Sequence, residues 1–283
     1  MKLGLQHVGI LTADMAASID FYVGCMGMRV VACSAQGGDD NRVYLWDGNP
    51  ACKVLLLLAG PPFTGWLQQD FSSAGPGMYA LSFVTHDIQA SEQFLRSAGV
   101  ESLTGPDSGA GPGGISFRDP AGVHIQLRDS ADAIALPQAV PGDCVAPGYS
   151  LSHLCHTSLD ASPHTAFYRN IMGLETLREL PNEGMIFLGD PLSMEVPGRY
   201  VCPLELIAAP GLWQLEKDFL KRRGAGLQWI CFSTDSVAAA HARLTERRVP
   251  CTLGPTQYGD TEIAFYRDPS GVDIEVLLPH PSA

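Results

Sequence analysis

Phe265–Tyr266–Arg267–Asp268–Pro269–Ser270–Gly271–Val272–Asp273–Ile274–Glu275–Val276 is the stretch whose reading decides the fold. It reads as a strand, a tight turn and a second strand. Asp-Pro-Ser-Gly is turn chemistry, because proline presets φ and glycine tolerates positive φ. Beyond the turn, Val272, Ile274 and Val276 alternate with Asp273, Glu275 and Leu277, the period-two pattern of a half-buried strand. The apolar set is expected to pack inward, which turns Glu275 toward a different surface. An earlier stretch, Phe117–Arg118–Asp119–Pro120–Ala121–Gly122–Val123–His124–Ile125–Gln126–Leu127, repeats the pattern, with Asp119 and Gly122 each 149 residues before Asp268 and Gly271. The second copy carries a glutamate where the first carries Gln126.

Outward from these stretches the whole chain repeats. His153, Asp160 and Phe167–Tyr168 match His7, Asp14 and Phe21–Tyr22 at a constant offset of 146 without a gap. Cys202–Pro203–Leu204–Glu205–Leu206 matches Cys52–Lys53–Val54–Leu55–Leu56 at 150, and Ile230–Cys231–Phe232 matches Leu81–Ser82–Phe83 at 149. Self-similarity of this length means two homologous domains. In the first half, residues 5–11 read as a strand and Asp14 as the N-cap of a helix over 15–25, with Ile19, Phe21 and Tyr22 as candidates for its buried side. Strands follow around 29–33, 42–45 and 53–59, with Gly37–Gly38–Asp39–Asp40 among the intervening turns. A Pro/Gly-rich connection over 60–77 leads to a second unit: a strand at 79–85, a helix at 88–98, and strands around 114–117 and 123–128. Each domain thus holds a βαβββ unit twice, and the class is α+β. The expected division is a first domain over 1–130, a linker over 131–149 rich in proline and glycine, and a second domain over 150–283.

Composition narrows the function. Apolar residues make up 46% and charged residues 17%, which is a globular balance. A formal net charge of −12 argues against nucleic-acid or anionic-membrane partners. No signal peptide is evident at the amino terminus, and the apolar run from Val54 to Ala59 is too short to cross a membrane. The 8 cysteines show no C-x-x-C pairing and read as buried thiols of a reducing cytoplasm.

The paired His/Asp/Phe-Tyr openings, the matching segments Cys25–Met26–Gly27–Met28 and Ile171–Met172–Gly173–Leu174, and the closing Asp-Pro-x-Gly turns carry a family likeness. The chain resembles the vicinal oxygen chelate superfamily, as a tandem two-domain member. Glyoxalase I, type I extradiol ring-cleaving dioxygenases and bleomycin-resistance binding proteins belong to that superfamily. The resemblance implies four βαβββ units forming two domains with cupped mixed sheets. It also implies that residues on the inner face of one cup present His, Gln or Glu to a divalent ion. The positions carried over are His153, Glu205, Trp229 and Glu275 in the second domain, and His7, Leu55, Ala80 and Gln126 in the first. Only the second set offers a metal-binding combination, with His153, Glu205 and Glu275 as ligands. Such a mixed N/O set suits Fe, Mn, Zn, Ni or Co.

The resemblance implies a small, vicinal-oxygen or aromatic substrate and Lewis-acid chemistry of the glyoxalase-like lyase or isomerase kind. Glu205 and Glu275 are the candidate catalytic bases, and Trp229 and Phe265 the candidate substrate wall. Two readings compete with it. An extradiol dioxygenase would need a second histidine where Trp229 stands and an acid–base tyrosine where Phe265 stands. A metal-free small-molecule or drug-binding protein would use the same aromatic wall without the carboxylates. His7 reads as structural, as does His156, on the strand face opposite His153. His164 and His241, in helical segments, and His280, in the tail, receive no role. A small-molecule substrate is the expected partner, with a homodimer as an open alternative to a single chain. Relatives also build cups from units of different domains, which would instead join His7 to Trp229 and Glu275.

Overall fold

The computed structural model describes residues 1–33, 41–63, 65–104, 113–136, 148–196 and 201–279. The turn expected at Gly37–Asp40, most of the expected linker and His280 lie outside the described residues. The first half runs β1 (Leu3–Leu11), α1 (Met15–Ile19, continued as a π-helical segment over Asp20–Cys25), β2 (Arg29–Cys33), β3 (Asn41–Trp46) and β4 (Leu55–Gly60). It continues through α2 (Gly65–Ala74), β5 (Gly77–Thr85), α3 (Ile88–Ser97), β6 (Leu103–Thr104), β7 (Ile115–Arg118) and β8 (His124–Asp129). The second half repeats this as β9 (Ser150–Thr157), α4 (Ser162–Ala166, continued as a π-helical segment over Phe167–Ile171), β10 (Glu175–Leu180), β11 (Met185–Gly189), α5 (Pro191–Met194) and β12 (Leu204–Ile207). It closes with α6 (Gln214–Arg223), β13 (Gly226–Ser233), α7 (Val237–Glu246), β14 (Cys251–Tyr258), β15 (Thr261–Arg267) and β16 (Asp273–Leu277).

Each half forms one 8-stranded mixed sheet, in the order β2-β3-β4-β1-β5-β8-β7-β6 and β10-β11-β12-β9-β13-β16-β15-β14. This is the vicinal-oxygen-chelate fold in two homologous copies. The two βαβββ units of a half meet where β1 pairs antiparallel with β5, or β9 with β13. Both units of a cup therefore come from one half, and His153 and Glu205 share a sheet with Trp229 and Glu275.

Local chemistry explains the elements. The Asp14 carboxylate caps α1 by accepting from the Ala17 N–H at 2.9 Å. Phe21 and Tyr22 bury as expected, whereas Ile19 is only partly buried against the core. The Pro/Gly-rich connection over 60–77, where no helix is expected from the sequence, contains α2. Pro61 and Pro62 precede that helix and Gly75 follows it, so the breakers bound it instead of interrupting it.

One apolar core is shared between the halves. Val272, Ile274 and Val276 of the closing strand join it together with Leu3, Val8 and Ile10 from β1 and Leu151 and Leu154 from β9. The closing strand is not half-buried, however. Asp273 and Glu275, on its other face, are also withdrawn from solvent, because that face lines the second cup. In the first cup, Tyr44, Trp46, Leu55 and Leu57 pack with Ile134 and Leu136, and Tyr79 and Ala80 pack with Leu67 and Trp66.

The Asp-Pro-x-Gly turns do more than reverse the chain. Asp119 Oδ1 accepts from the Ala121 and Val123 N–H groups, each at 2.8 Å, and Asp268 Oδ1 accepts from Ser270 at 2.8 Å and Val272 at 2.7 Å. Gly122 and Gly271 sit at φ +88° and +80°, where a side chain would be strained. The second oxygen of each aspartate faces the other half. Tyr22 donates to Asp268 Oδ2 at 2.8 Å, and Tyr168 donates to Asp119 Oδ2 at 2.9 Å.

Candidate metal centre

Four consecutive strands, β12-β9-β13-β16, bring the site together in the second cup. His153 stands on β9, Glu205 on β12, Cys231 on β13 and Glu275 on β16. Strand register sets Cys231 opposite both His153 and Glu275, and sets Cys155 opposite both Glu205 and Trp229. Period-two alternation then points the whole group to one face. His153 Nε2 lies 3.4 Å from Glu205 Oε2 and 3.4 Å from Glu275 Oε2. Its Nδ1 lies 3.2 Å from the Ser152 hydroxyl, which fixes the ring orientation.

Two carboxylates this deeply buried repel each other and need a cation between them. Burial opposes charge on His153, but the Cys231 sulfur and the Glu205 and Glu275 carboxylates, which accept from its ring, raise its pKa well above the ordinary histidine value. The Cys231 thiol is itself pushed up, first by burial and then by Glu275, so it stays protonated, and the carboxylates are what keep a proton on His153. A divalent ion can replace that proton. The 3.4 Å separations are close to the ~3.3 Å ligand–ligand edge of a tetrahedral site with bonds of 2.0–2.1 Å. Glu205 Oε2 is buried and meets the His153 imidazole at 3.4 Å, a contact longer than an ordinary hydrogen bond. His153, Cys231 and Glu275 offer donor atoms that all lie within 4.8 Å of one another, and Glu205 reaches the same imidazole at 3.4 Å, a mixed N/O/S neighbourhood of the kind a first-row divalent ion takes.

The aromatic wall stands beside it. Trp229 and Phe265 meet edge to face, with ring centroids 5.4 Å apart at 80°. Phe265 is opposite Glu275 in the strand register. Trp229 packs with Cys155, Met185, Ile207, Leu212, Cys231 and Ile263, and its indole N–H has no partner among the described residues.

The matching positions of the first half make no such site. His7 is fully buried, opposite Leu55 in the register and edge-on to Tyr44 at 5.5 Å. Burial, then Arg128 and Arg42, hold its pKa well below the usual range, so it is a neutral imidazole. Ala80 and Gln126 belong to the same sheet but bring no second charged ligand to it.

Sequence reasoning missed two members of the neighbourhood. Cys231 clusters with His153 and Glu275 as a potential metal donor. Its position two residues from Trp229 was the available signal. Glu216, near the start of α6, is buried with one carboxylate oxygen unpaired, and its pKa is pushed up to about 7 by burial and by Glu205 and Glu275. Nothing in its local sequence marks it.

The chain belongs to the Glyoxalase/Bleomycin resistance protein/Dioxygenase superfamily, whose sequence profile matches residues 4–127 and again 150–276. Across 98% of its length it is 23% identical to the putative ring-cleaving dioxygenase MhqA of Bacillus subtilis (strain 168), covering 87% of that protein. Among solved structures it superposes on a 4-hydroxymandelate synthase mutant from Streptomyces coelicolor with a TM-score of 0.69 at 16% identity, covering 100% of this chain and 94% of that one. It superposes on the Mn(II)-bound glyoxalase from Novosphingobium aromaticivorans with a TM-score of 0.63 at 15% identity, covering 97% of this chain and 81% of that one. At these identities the structural likeness establishes the fold.

Proposed function

We propose that the chain is a divalent-metal-dependent enzyme whose second cup binds a small substrate with adjacent oxygens. The observation that carries this reading is the pair of buried carboxylates, Glu205 and Glu275, converging on His153 Nε2 at 3.4 Å each. His153, Glu205 and Glu275 would hold the ion, and a bound ion supplies Lewis acidity to a substrate oxygen. The remaining work falls to side chains. Trp229 and Phe265 present an apolar edge to a planar or aromatic substrate and exclude water. Glu205, whose Oε2 is held by a long 3.4 Å contact to His153, is the base that would take a proton from the substrate carbon and return it to a neighbouring atom. That assignment favours lyase or isomerase chemistry of the glyoxalase kind. The free thiols among the described cysteines support a reducing, cytoplasmic setting.

A second reading, extradiol ring cleavage, draws support from the full-length likeness to the MhqA protein. Trp229 and Phe265 oppose it, since neither side chain can ligate a metal or exchange a proton. The deciding experiment uses untagged protein, stripped and reloaded with Mn²⁺ or Fe²⁺ and analysed for bound metal. His153→Ala should lose an equivalent that His7→Ala keeps. Turnover of α-hydroxycarbonyl compounds should need metal and disappear in Glu205→Gln. Equal metal content in the two histidine variants would overturn the assignment.

A further inference from the structure

A second group of potential metal donors lies outside the cup, at the seam between the halves. Asp119, His156 and His164 each offer one atom, and these atoms all lie within 4.8 Å of one another. His156 Nε2 is 3.1 Å from Asp119 Oδ2, and the two imidazole centroids are 4.5 Å apart. Tyr168 places its hydroxyl 2.9 Å from the same Asp119 oxygen. All three donors are more than nine-tenths buried. The Nδ1 atoms of both histidines are buried with no hydrogen-bond partner among the described residues. The unpaired Nδ1 of His164 is costly in a buried seam unless something occupies it, and His156 offers Nε2, beside Asp119, on the ligand side.

The first half supplies an internal control. At the 146-residue offset, Ile10 stands where His156 stands and Ser18 where His164 stands. There the Tyr22–Asp268 bond forms alone, and Ser18 meets the Ser270 hydroxyl at 3.2 Å. The seam therefore closes without histidines, and the pair in the second half is an addition that the hydrogen-bonded clasp does not require.

We propose that Asp119, His156 and His164 form a structural zinc site joining the two halves. Two imidazoles and one carboxylate are the donor types zinc takes, and the 3.1 Å His156–Asp119 separation is close to the ~3.3 Å edge of a zinc tetrahedron. Tyr168, donating to the Asp119 carboxylate, orients that ligand. Because the donors span both halves and are buried, the ion is a closed, structural one and not a substrate-binding one.

The test uses the untagged full chain, stripped with chelator, reloaded with Zn²⁺ and desalted before elemental analysis. The expected content is two ions per wild-type chain, one in His153→Ala, one in His164→Ser and none in the double variant. His164→Ser installs the residue that the first half uses at this position. His156→Ile does the same for the second ligand, so a failure of either variant to fold leaves the other to report. In the His153→Ala background, Co²⁺ should give tetrahedral d–d absorption that His164→Ser abolishes, and chelator should lower Tm only while His164 is present. A single ion in wild type, lost entirely in His153→Ala, overturns the proposal, as does unchanged metal content in His164→Ser and His156→Ile.

Discussion

Tyr22, in the opening helical segment of the first half, donates its phenolic proton to Asp268, in the closing turn of the second half, at 2.8 Å. The reciprocal bond, Tyr168 to Asp119, has the same construction. Each aspartate spends one oxygen holding its own turn and the other holding the opposite half. The two copies nevertheless differ electrically. Burial pushes Asp268 up to about 6, against the lowering effect of Tyr22 and of its turn amides. Asp119 is also opposed by burial, but hydrogen bonds from His156 and Tyr168 bring its pKa below the usual carboxylate value.

Tyr22→Phe should destabilise the fold by about 1–3 kcal/mol, the cost of leaving a buried carboxylate without its donor. The pH dependence identifies the cause. Asp268 has a raised native pKa, so its contribution is present at low pH and lost as pH rises through about 6. Removing the Tyr22 donor raises that pKa further and deepens the loss. Urea unfolding should therefore show a larger penalty at pH 8 than at pH 5, and a penalty independent of pH would refute this account.

Asp119 should show the opposite sign. Its native pKa is lowered, so its contribution is present at neutral pH and lost as pH falls below the ordinary carboxylate range. Asp119→Asn is expected to cost more stability at pH 7 than at pH 3.5, as measured by thermal unfolding in low-salt buffer.

Metal uptake in the cup should release a proton. The raised pKa of His153 means that the metal-free site holds an imidazolium at neutral pH, and a ligand nitrogen must be unprotonated. Calorimetric titration with Mn²⁺ in buffers of different ionisation enthalpy measures the count, and affinity should weaken as pH falls. His164→Ser is the background for this measurement. No proton release would mean that His153 is neutral before binding.

Glu216→Gln should stabilise the metal-free protein at pH 8. With a pKa near 7, the buried acid is neutral in mild acid and is forced to ionise, beside Glu205 and Glu275, as pH rises. The gain has an upper limit of about 3 kcal/mol by linkage and should vanish near pH 4.5. A glutamine that lowers Tm equally at both pH values would show that the carboxylate has a stabilising partner.

Trp229 should report on the cup. It lies two residues along β13 from Cys231, which is opposite both His153 and Glu275. Co²⁺ should quench wild-type tryptophan fluorescence, and most of that change should be missing in Trp229→Phe. Identical quenching in both proteins would remove Trp229 from the site's surroundings.

Much of this architecture was written in short-range pattern. The 146-residue register of His7/His153 and Phe21–Tyr22/Phe167–Tyr168 identified two copies because insertions had not disturbed it. Alternation along Val272–Val276 correctly separated the face of Ile274 from that of Glu275. The sheet order that joins His153 to Glu205 and Glu275 was not legible, since strand pairing depends on contacts far apart in the chain. The Asp119–Tyr168 bond was invisible for the same reason: turn chemistry explains Asp119 fully on local grounds and hides its second oxygen's task. Helix α2 was missed because prolines and glycines that bound a helix look, one by one, like those of a loop.

The reciprocity of Tyr22–Asp268 and Tyr168–Asp119 has the logic of an isologous interface, in which residue i meets j and j meets i across a two-fold axis. The halves relate to one another as the subunits of a symmetric dimer, fused end to end. A half lifted out of this chain carries both the tyrosine and the aspartate that another copy of itself requires. Fusion keeps the copies at high effective concentration and lets them differ, with Gln126 and Leu55 in one where the other has Glu275 and Glu205.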